Sequence, residues 1–377
     1  MNSDLALRLL GTVMSWTDDE ARLEFAWLRL MSRLKYDGYG DYLAGLRFTE
    51  CLARWLQQFP ADKRRTAYDF IKRRLVFVSR TELHGLVENF YPRIVRPQLV
   101  TDAAAAAQCA EHFVWANATA RQHYKILERR TLFLGLSDGA RIDALRRANV
   151  GRLSNEQIAV GTQLDHDKWE DLGEELRKDG IVAALPVAER TFNRIYVLDD
   201  FTASGTTLIR KKKGQWRGKL HRFWKSITAA RESLKDKFPL AREVAVHVHH
   251  YIATERALET SRRRNQEAAT DLGADGWFGS IDFSASSTLA AGAFVDVTNE
   301  PDFIALADTF YDSVLENKHS EESEDPNMRR GYAQCSLCVI LEHNTPNNSL
   351  PLFWAETDGN NEQHAMRPLF RRRTRHV

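Results

Sequence analysis

The sequence predicts an α/β protein in which a mainly parallel sheet flanked by helices follows an all-α N-terminal part. Three observations lead there. Between Leu5 and about Leu132 aromatic and aliphatic residues recur three and four apart, the spacing of amphipathic helices. From Thr131 onward short, unbroken apolar runs alternate with helical patterns, as in a parallel sheet covered on both faces. The length of 377 residues and a 43% hydrophobic content favour two units, expected as 1–130 (helical, suited to partner recognition) and 131–377 (α/β, with an enlarged C-terminal hood).

Bulk composition narrows the partners. A formal net charge of +2 does not by itself call for a polyanion. The start, Met1-Asn2-Ser3-Asp4, has no basic lead into an apolar run, and no apolar stretch reaches spanning length, so a soluble, cytoplasmic protein with no membrane partner is expected. Four cysteines form no disulfide framework. Cys335 and Cys338 are a single C-x-x-C inside an apolar segment, which favours buried structural cysteines over zinc or redox chemistry.

Taken in order, Phe25, Leu28 and Met31, then Leu52, Trp55, Leu56 and Phe59, mark helical faces. Phe59-Pro60-Ala61-Asp62 precedes a helix from Arg65 to about Phe77, and Tyr91-Pro92 with Arg96-Pro97 closes the next. Lys63-Arg64-Arg65, Lys72-Arg73-Arg74 and Arg129-Arg130 invite a nucleic-acid reading, against which stands the ordinary solvated helix face. Thr131–Leu136 reads as a strand, Ser137-Asp138-Gly139-Ala140-Arg141 as a loop of small residues, and Ile142 to Arg146 as a helix. Asp165–Lys178 is an amphipathic helix, and Ile181–Val187 is a candidate strand broken by Pro186.

Ile195 to Leu198 run without polar interruption into Asp199 and Asp200, as a strand buried on both faces would. Thr202, Ala203, Ser204, Gly205, Thr206 and Thr207 follow, then a helical pattern from Leu208. A helix start behind a glycine loop gathers free N–H groups and a positive dipole end, which suits a phosphate. The two carboxylates suit ribose hydroxyls or a Mg²⁺ bound to them. Together they predict a ribose 5-phosphate site. An ATPase is excluded, because no segment supplies G-x-x-x-x-G-K-[ST].

Beyond it come a basic turn at Arg210-Lys211-Lys212-Lys213-Gly214, a helix from Lys219 to Phe238 and a strand from Arg242 to Ile252. A helix from Thr254 to Asp271, a loop region from Gly276, and a helix from Pro301 to Leu315 follow. His247 and His249 share one strand face with His250 on the other, and packed histidines are expected there in preference to a metal site. Glu316–Asn327 is a polar connector, expected to be mobile. Gly331–Glu342 reads as the last strand, Asn344–Trp354 as an Asn- and Pro-rich loop offering amides, Phe353 and Trp354 to a base, and Arg371–His376 as a basic tail.

The stretch Ile195–Thr207 resembles the phosphoribosyltransferase signature: an apolar strand, two acids, a short variable spacer and a Thr/Ser-Gly-x-Thr loop. Asp199, Asp200, Ser204, Gly205, Thr206 and Thr207 match position by position, with Ser204 where Thr is common. The resemblance implies a type I phosphoribosyltransferase-like sheet. It further implies phosphoribosyl pyrophosphate as substrate, Asp199 and Asp200 on ribose hydroxyls and Mg²⁺, and Ala203 to Thr207 around the 5-phosphate. Many purine-salvage members carry Asp at the position of Ala203, so an oxopurine acceptor loses support and a base must come from elsewhere.

The family's pyrophosphate loop is matched in order and composition by Ser137, Asp138, Gly139, Ala140 and Arg141. There Gly139 permits close approach and Arg141 neutralises developing charge, while Asp138 would repel pyrophosphate unless Mg²⁺ bridges them. An Asp-Gly turn capping a helix is the other reading. The whole layout is similar to phosphoribosyltransferase-like proteins of bacterial conflict and antiphage systems, which implies protein partners from such a system. Two functions follow as expectations: an effector acting at the anomeric carbon, or a catalytically silent nucleotide sensor that binds protein or, through the basic helices and tail, nucleic acid. A structural adaptor would require the cradle to be accidental.

Overall fold

A computed structural model of the chain describes residues 3–40, 42, 47–162, 164–273, 276–316, 325–359 and 364–372. Most of the acidic connector and the tail beyond Arg372 lie outside the described residues. The strands, in chain order, are β1 (Val76–Val78), β2 (Thr131–Gly135), β3 (Ile158–Ala159), β4 (Phe192–Thr202), β5 (Arg210–Lys212), β6 (Gln215–Arg217), β7 (Leu240–Thr254), β8 (Ser280–Leu289) and β9 (Val339–Leu341). The packing forms two compact units, 1–82 with 290–377, and 83–289. These edges differ from the expected division at 130, because the helices that precede β2 pack with the sheet and the C-terminal segment packs with the first helices.

In the 83–289 unit all five strands of the sheet run parallel in the order β3-β2-β4-β7-β8. This is the α/β fold that the alternating pattern predicts. Side chains alternate across the sheet. Leu132, Leu134, Ile195, Val197, Val246 and Val248 point into one core, where they meet Trp169, Leu172 and Leu176 of the helix His166–Lys178 and Phe223 and Ile227 of the helix Lys219–Leu234. On the other face Phe133, Tyr196 and His247, paired in register, stack in a row at 5.6 and 4.8 Å between ring centres. Phe90, the last residue of the helix Arg80–Phe90, covers that row, 4.7 Å from the His249 ring.

Several local expectations change. Pro92 and Pro97 do not close a helix: a π turn, Tyr91–Val95, carries the chain directly into the helix Arg96–Ala106. Each proline lacks the N–H that would bond the preceding turn, and the π turn lies where that ladder is interrupted. Ile181–Val187 forms turns instead of a strand. The 276–289 region holds β8, a ten-residue edge strand that the loop reading missed.

In the 1–82/290–377 unit, helices Phe48–Gln57 and Ala61–Arg74 pack with Pro301–Thr309 and the segment from Leu350. Phe70 and Phe303 lie face to face at 3.6 Å and 6°. The helix Asp18–Leu34 starts at a reciprocal cap: Glu20 N–H donates to Thr17 Oγ1 at 3.3 Å and Thr17 N–H to Glu20 Oε2 at 3.0 Å. The expected helix Arg65–Phe77 is Ala61–Arg74, and the chain then forms β1, which pairs in parallel with β9. Only Val339–Leu341 of the predicted strand 331–342 is extended, because Ala333, Gln334 and Ser336 take left-handed conformations. Cys335 and Cys338 are buried and unbridged.

Phe353 is fully buried against Trp55, Phe70 and Phe303, and Trp354 is 9% exposed, which leaves neither ring presented for stacking on a base. The basic triplets are engaged within their own units: Arg65 with Asp69 and Glu20, Lys72 with Glu24, Arg73 and Arg74 with Glu300, Arg129 with Asp179. Among the described residues no helix is long and apolar enough to cross a membrane.

Candidate phosphoribosyl site

Because β2 and β4 are parallel neighbours, the segments that leave them open on the same edge of the sheet. After β2 the ladder gains one more bond, Leu136 N–H to Leu198 O at 2.7 Å, and the chain then turns at Ser137. The Ser137 hydroxyl accepts from Gly139 N–H at 3.2 Å and donates to Asp199 Oδ1. One serine thus ties the 137–141 loop to the acid pair.

Gly139 lies against Asp200. A Cβ there would stand 2.3 Å from Asp200 Oδ2 and 2.4 Å from its Cγ. Only glycine permits that approach. Arg141 takes the left-handed conformation, φ 52 and ψ 41, and its guanidinium has no partner among the described residues although Nε is buried. Asp138 is exposed and makes no hydrogen bond or ion pair among the described residues.

The acids lie within β4, which continues to Thr202, and not beyond its end. Asp199 is 5% exposed. Its Oδ1 accepts from Ser137 and from Asp200 N–H at 3.1 Å, and its Oδ2 faces Lys219 Nζ at 2.8 Å. Burial, followed by the neighbouring Asp200 charge, lifts its pKa above the ordinary aspartate value, and Lys219 and Ser137 oppose the rise. Asp200 is half-buried, with Oδ1 accepting from Phe201 N–H at 2.8 Å.

The 203–207 loop is pinned from below by Thr254. Its hydroxyl donates to Ala203 O at 2.7 Å and accepts from Ala257 N–H at 3.0 Å, capping the helix Glu255–Leu272. Gly205, at φ 72, packs on that helix: a Cβ would come within 2.8 Å of Ser261 Oγ and 2.9 Å of Ala257 O. Ser204 and Thr206 hydroxyls bond each other at 2.7 Å and both side chains are buried, while Thr207 is exposed. The N–H groups of Ser204, Gly205 and Thr207 donate to nothing among the described residues. They form the anion-ready part of the loop.

No helix follows the loop directly, contrary to the pattern from Leu208. The chain instead makes the antiparallel hairpin β5–β6, turning at Lys213 and Gly214, both at positive φ, and the helix begins at Lys219. Lys219 and Leu220 N–H groups are already bonded to Thr207 O and Leu208 O at 3.1 and 3.0 Å. The cradle therefore rests on loop amides, since those two helix donors are used.

Two site residues were missed in the sequence. Lys219 passed for an ordinary helix start. His250, the register partner of Asp199, is 3% exposed with an unpartnered Nδ1, and burial and then Lys219 bring its pKa down to about 3. His249 bonds Ser284 and Ser286 through its two ring nitrogens, each at 2.8 Å, and His247 lies 3.5 Å from Asp282. No group of three metal-ligating side chains occurs among the described residues. Lys219, Ser137 and the Asp200 amide take three of the roughly four lone-pair sites of the Asp199 carboxylate, which leaves one on Oδ2 for any further ligand.

No curated protein and no solved structure matches the chain. A family profile does. The profile of PRTase-CE matches residues 52–372, and the chain belongs to this phosphoribosyltransferase-like family.

Proposed function

We propose that the chain binds phosphoribosyl pyrophosphate, or a related phosphoribosyl nucleotide, and acts at its anomeric carbon as an effector of a bacterial antiphage system. The observation that carries the site is the convergence of two loops on one acid pair, with Ser137 bonded to Asp199 and Gly139 apposed to Asp200. The amides of Ser204, Gly205 and Thr207 would hold the 5-phosphate, and Asp200 the ribose hydroxyls. As the bond from the anomeric carbon to pyrophosphate breaks, the Arg141 guanidinium would meet the charge that gathers on the leaving oxygens. The acceptor then attacks the oxocarbenium-like carbon. Mg²⁺ belongs in this reading as a companion of the ligand's own phosphates, not as an ion held by Asp199. The place in defence rests on the sequence layout.

A silent sensor is favoured by one observation: Ala203 is buried, its carbonyl taken by Thr254, and it offers no proton-handling group. Calorimetric titration of phosphoribosyl pyrophosphate into wild type and Asp200→Asn tests the site. Binding that weakens about tenfold or more in the variant supports it, and equal binding refutes it. Pyrophosphate release with candidate acceptors then separates effector from sensor.

A further inference from the structure

We infer that Lys219 is a built-in cation of the ribose-phosphate site, so that ligand binding at the acid pair requires no divalent metal. The inference rests on the proposed function for the ligand class, and on geometry for the rest. Lys219 Nζ stands 2.8 Å from Asp199 Oδ2, with Asp199 5% exposed and the lysine side chain 24% exposed. An ammonium has three donors. One goes to Asp199, and the other two have no partner among the described residues.

The backbone fixes where this side chain starts. Lys219 N–H is bonded to Thr207 O at 3.1 Å, so the lysine is anchored to the loop proposed to take the phosphate. Gly218, at φ 116, brings the chain there, and a Cβ on it would lie 2.4 Å from Leu208 O. Charge gives the reason for such a device. Two adjacent carboxylates repel an anionic ligand, and a divalent ion is the usual remedy. Here Lys219 offsets Asp199. One of the two negative charges is matched before any metal arrives.

The ion pair also redistributes the work of the acids. Asp199, with both oxygens engaged, serves as the support that orients Lys219, and the ammonium meets the ligand in its place. Asp200 remains the carboxylate that reaches ribose hydroxyls. Lys219 is thus a binding residue and Asp199 a positioning residue.

Ribose 5-phosphate is the probe, because it lacks the pyrophosphate that would bring its own metal. It is titrated calorimetrically into the full chain in EDTA and, separately, in Mg²⁺. The expected result is wild-type affinity within about threefold between the two buffers. Lys219→Gln should weaken binding in EDTA by about tenfold or more, while Lys219→Arg retains most of it. Wild-type binding that vanishes in EDTA and returns with Mg²⁺ overturns the inference and leaves the ligand reading standing. So does undiminished binding by Lys219→Gln. Failure of wild type to bind in either buffer overturns both. The wild-type comparison decides the matter even where a variant does not fold.

Discussion

Gly139→Ala is the most direct perturbation of the acid pair, because Gly139 does not have a positive φ and alanine brings no backbone strain of its own. The added methyl would sit 2.3, 2.4 and 2.7 Å from Asp200 Oδ2, Cγ and Oδ1. Non-bonded carbon contacts are optimal at about 3.5–4.0 Å, so the whole carboxylate group must retreat by about 1 Å. It cannot do so freely, since Oδ1 is held by Phe201 N–H at 2.8 Å. Either that bond opens, at about 1.5–3 kcal/mol for a charged acceptor, or the loop lifts and strains the Ser137 bonds to Gly139 and Asp199. Against this, alanine stiffens the unfolded chain by about 0.4–1 kcal/mol. The net expectation is a loss of about 1–2 kcal/mol in urea unfolding, with ribose 5-phosphate affinity reduced about tenfold or more. A variant that keeps both its unfolding midpoint and its affinity would refute the apposition of the two loops.

Two further outcomes follow from the same contacts. Burial holds His249 neutral, with its pKa down at about 3 against an ordinary 6.5; its contribution is fully present above pH 6.5 and is lost as pH falls toward 3. Between pH 6.5 and 5 that loss is about 2 kcal/mol, and His249→Phe should show a correspondingly shallower fall in urea midpoint over this range; parallel wild-type and variant curves would contradict the assignment. Gly218→Ala places a methyl 2.4 Å from Leu208 O at φ 116, so unfolding should cost about 2 kcal/mol less and ribose 5-phosphate affinity should fall with the displacement of Lys219; unchanged calorimetric binding would show that Gly218 does not set the position of that lysine.

What could be read from the sequence was what local patterns encode. Ile195–Leu198 is an uninterrupted apolar run, and such a run has few alternatives to a central parallel strand. Asp199, Asp200 and the small-residue loop are contiguous with it, so the core of the candidate site was visible. β8 was not, because Ser280, Asp282, Ser284, Ser286, Ser287 and Thr288 make an edge strand look like a loop. Its identity depends on partners across the sheet, among them His249, which bonds Ser284 and Ser286. The pairing of β1 with β9 joins residues more than 250 positions apart through three register pairs, Val76↔Val339, Phe77↔Ile340 and Val78↔Leu341. No local periodicity carries that information, and so the shared core of the first helices and the C-terminal segment could not be anticipated.

The helix expected at Leu208 is displaced in sequence more than in space. In an uninterrupted helix Thr207 O would accept from residue 211 and Leu208 O from residue 212. Their actual donors are Lys219 and Leu220, each eight positions later. Eight residues is also the span of the hairpin, Arg210 to Arg217. The hairpin therefore reads as an insertion into the first helical turn, closed by Gly218 and secured at its base by Arg264 Nη1 on Ile209 O at 3.1 Å and by buried Trp216, whose Nε1 reaches Asp271 at 2.9 Å. The carbonyl bonds that start the helix survive the excursion, and so the loop keeps its anchoring. What changes is the side chain delivered to that turn: the residue that meets Asp199 is chosen at the return of the hairpin, and here it is a lysine.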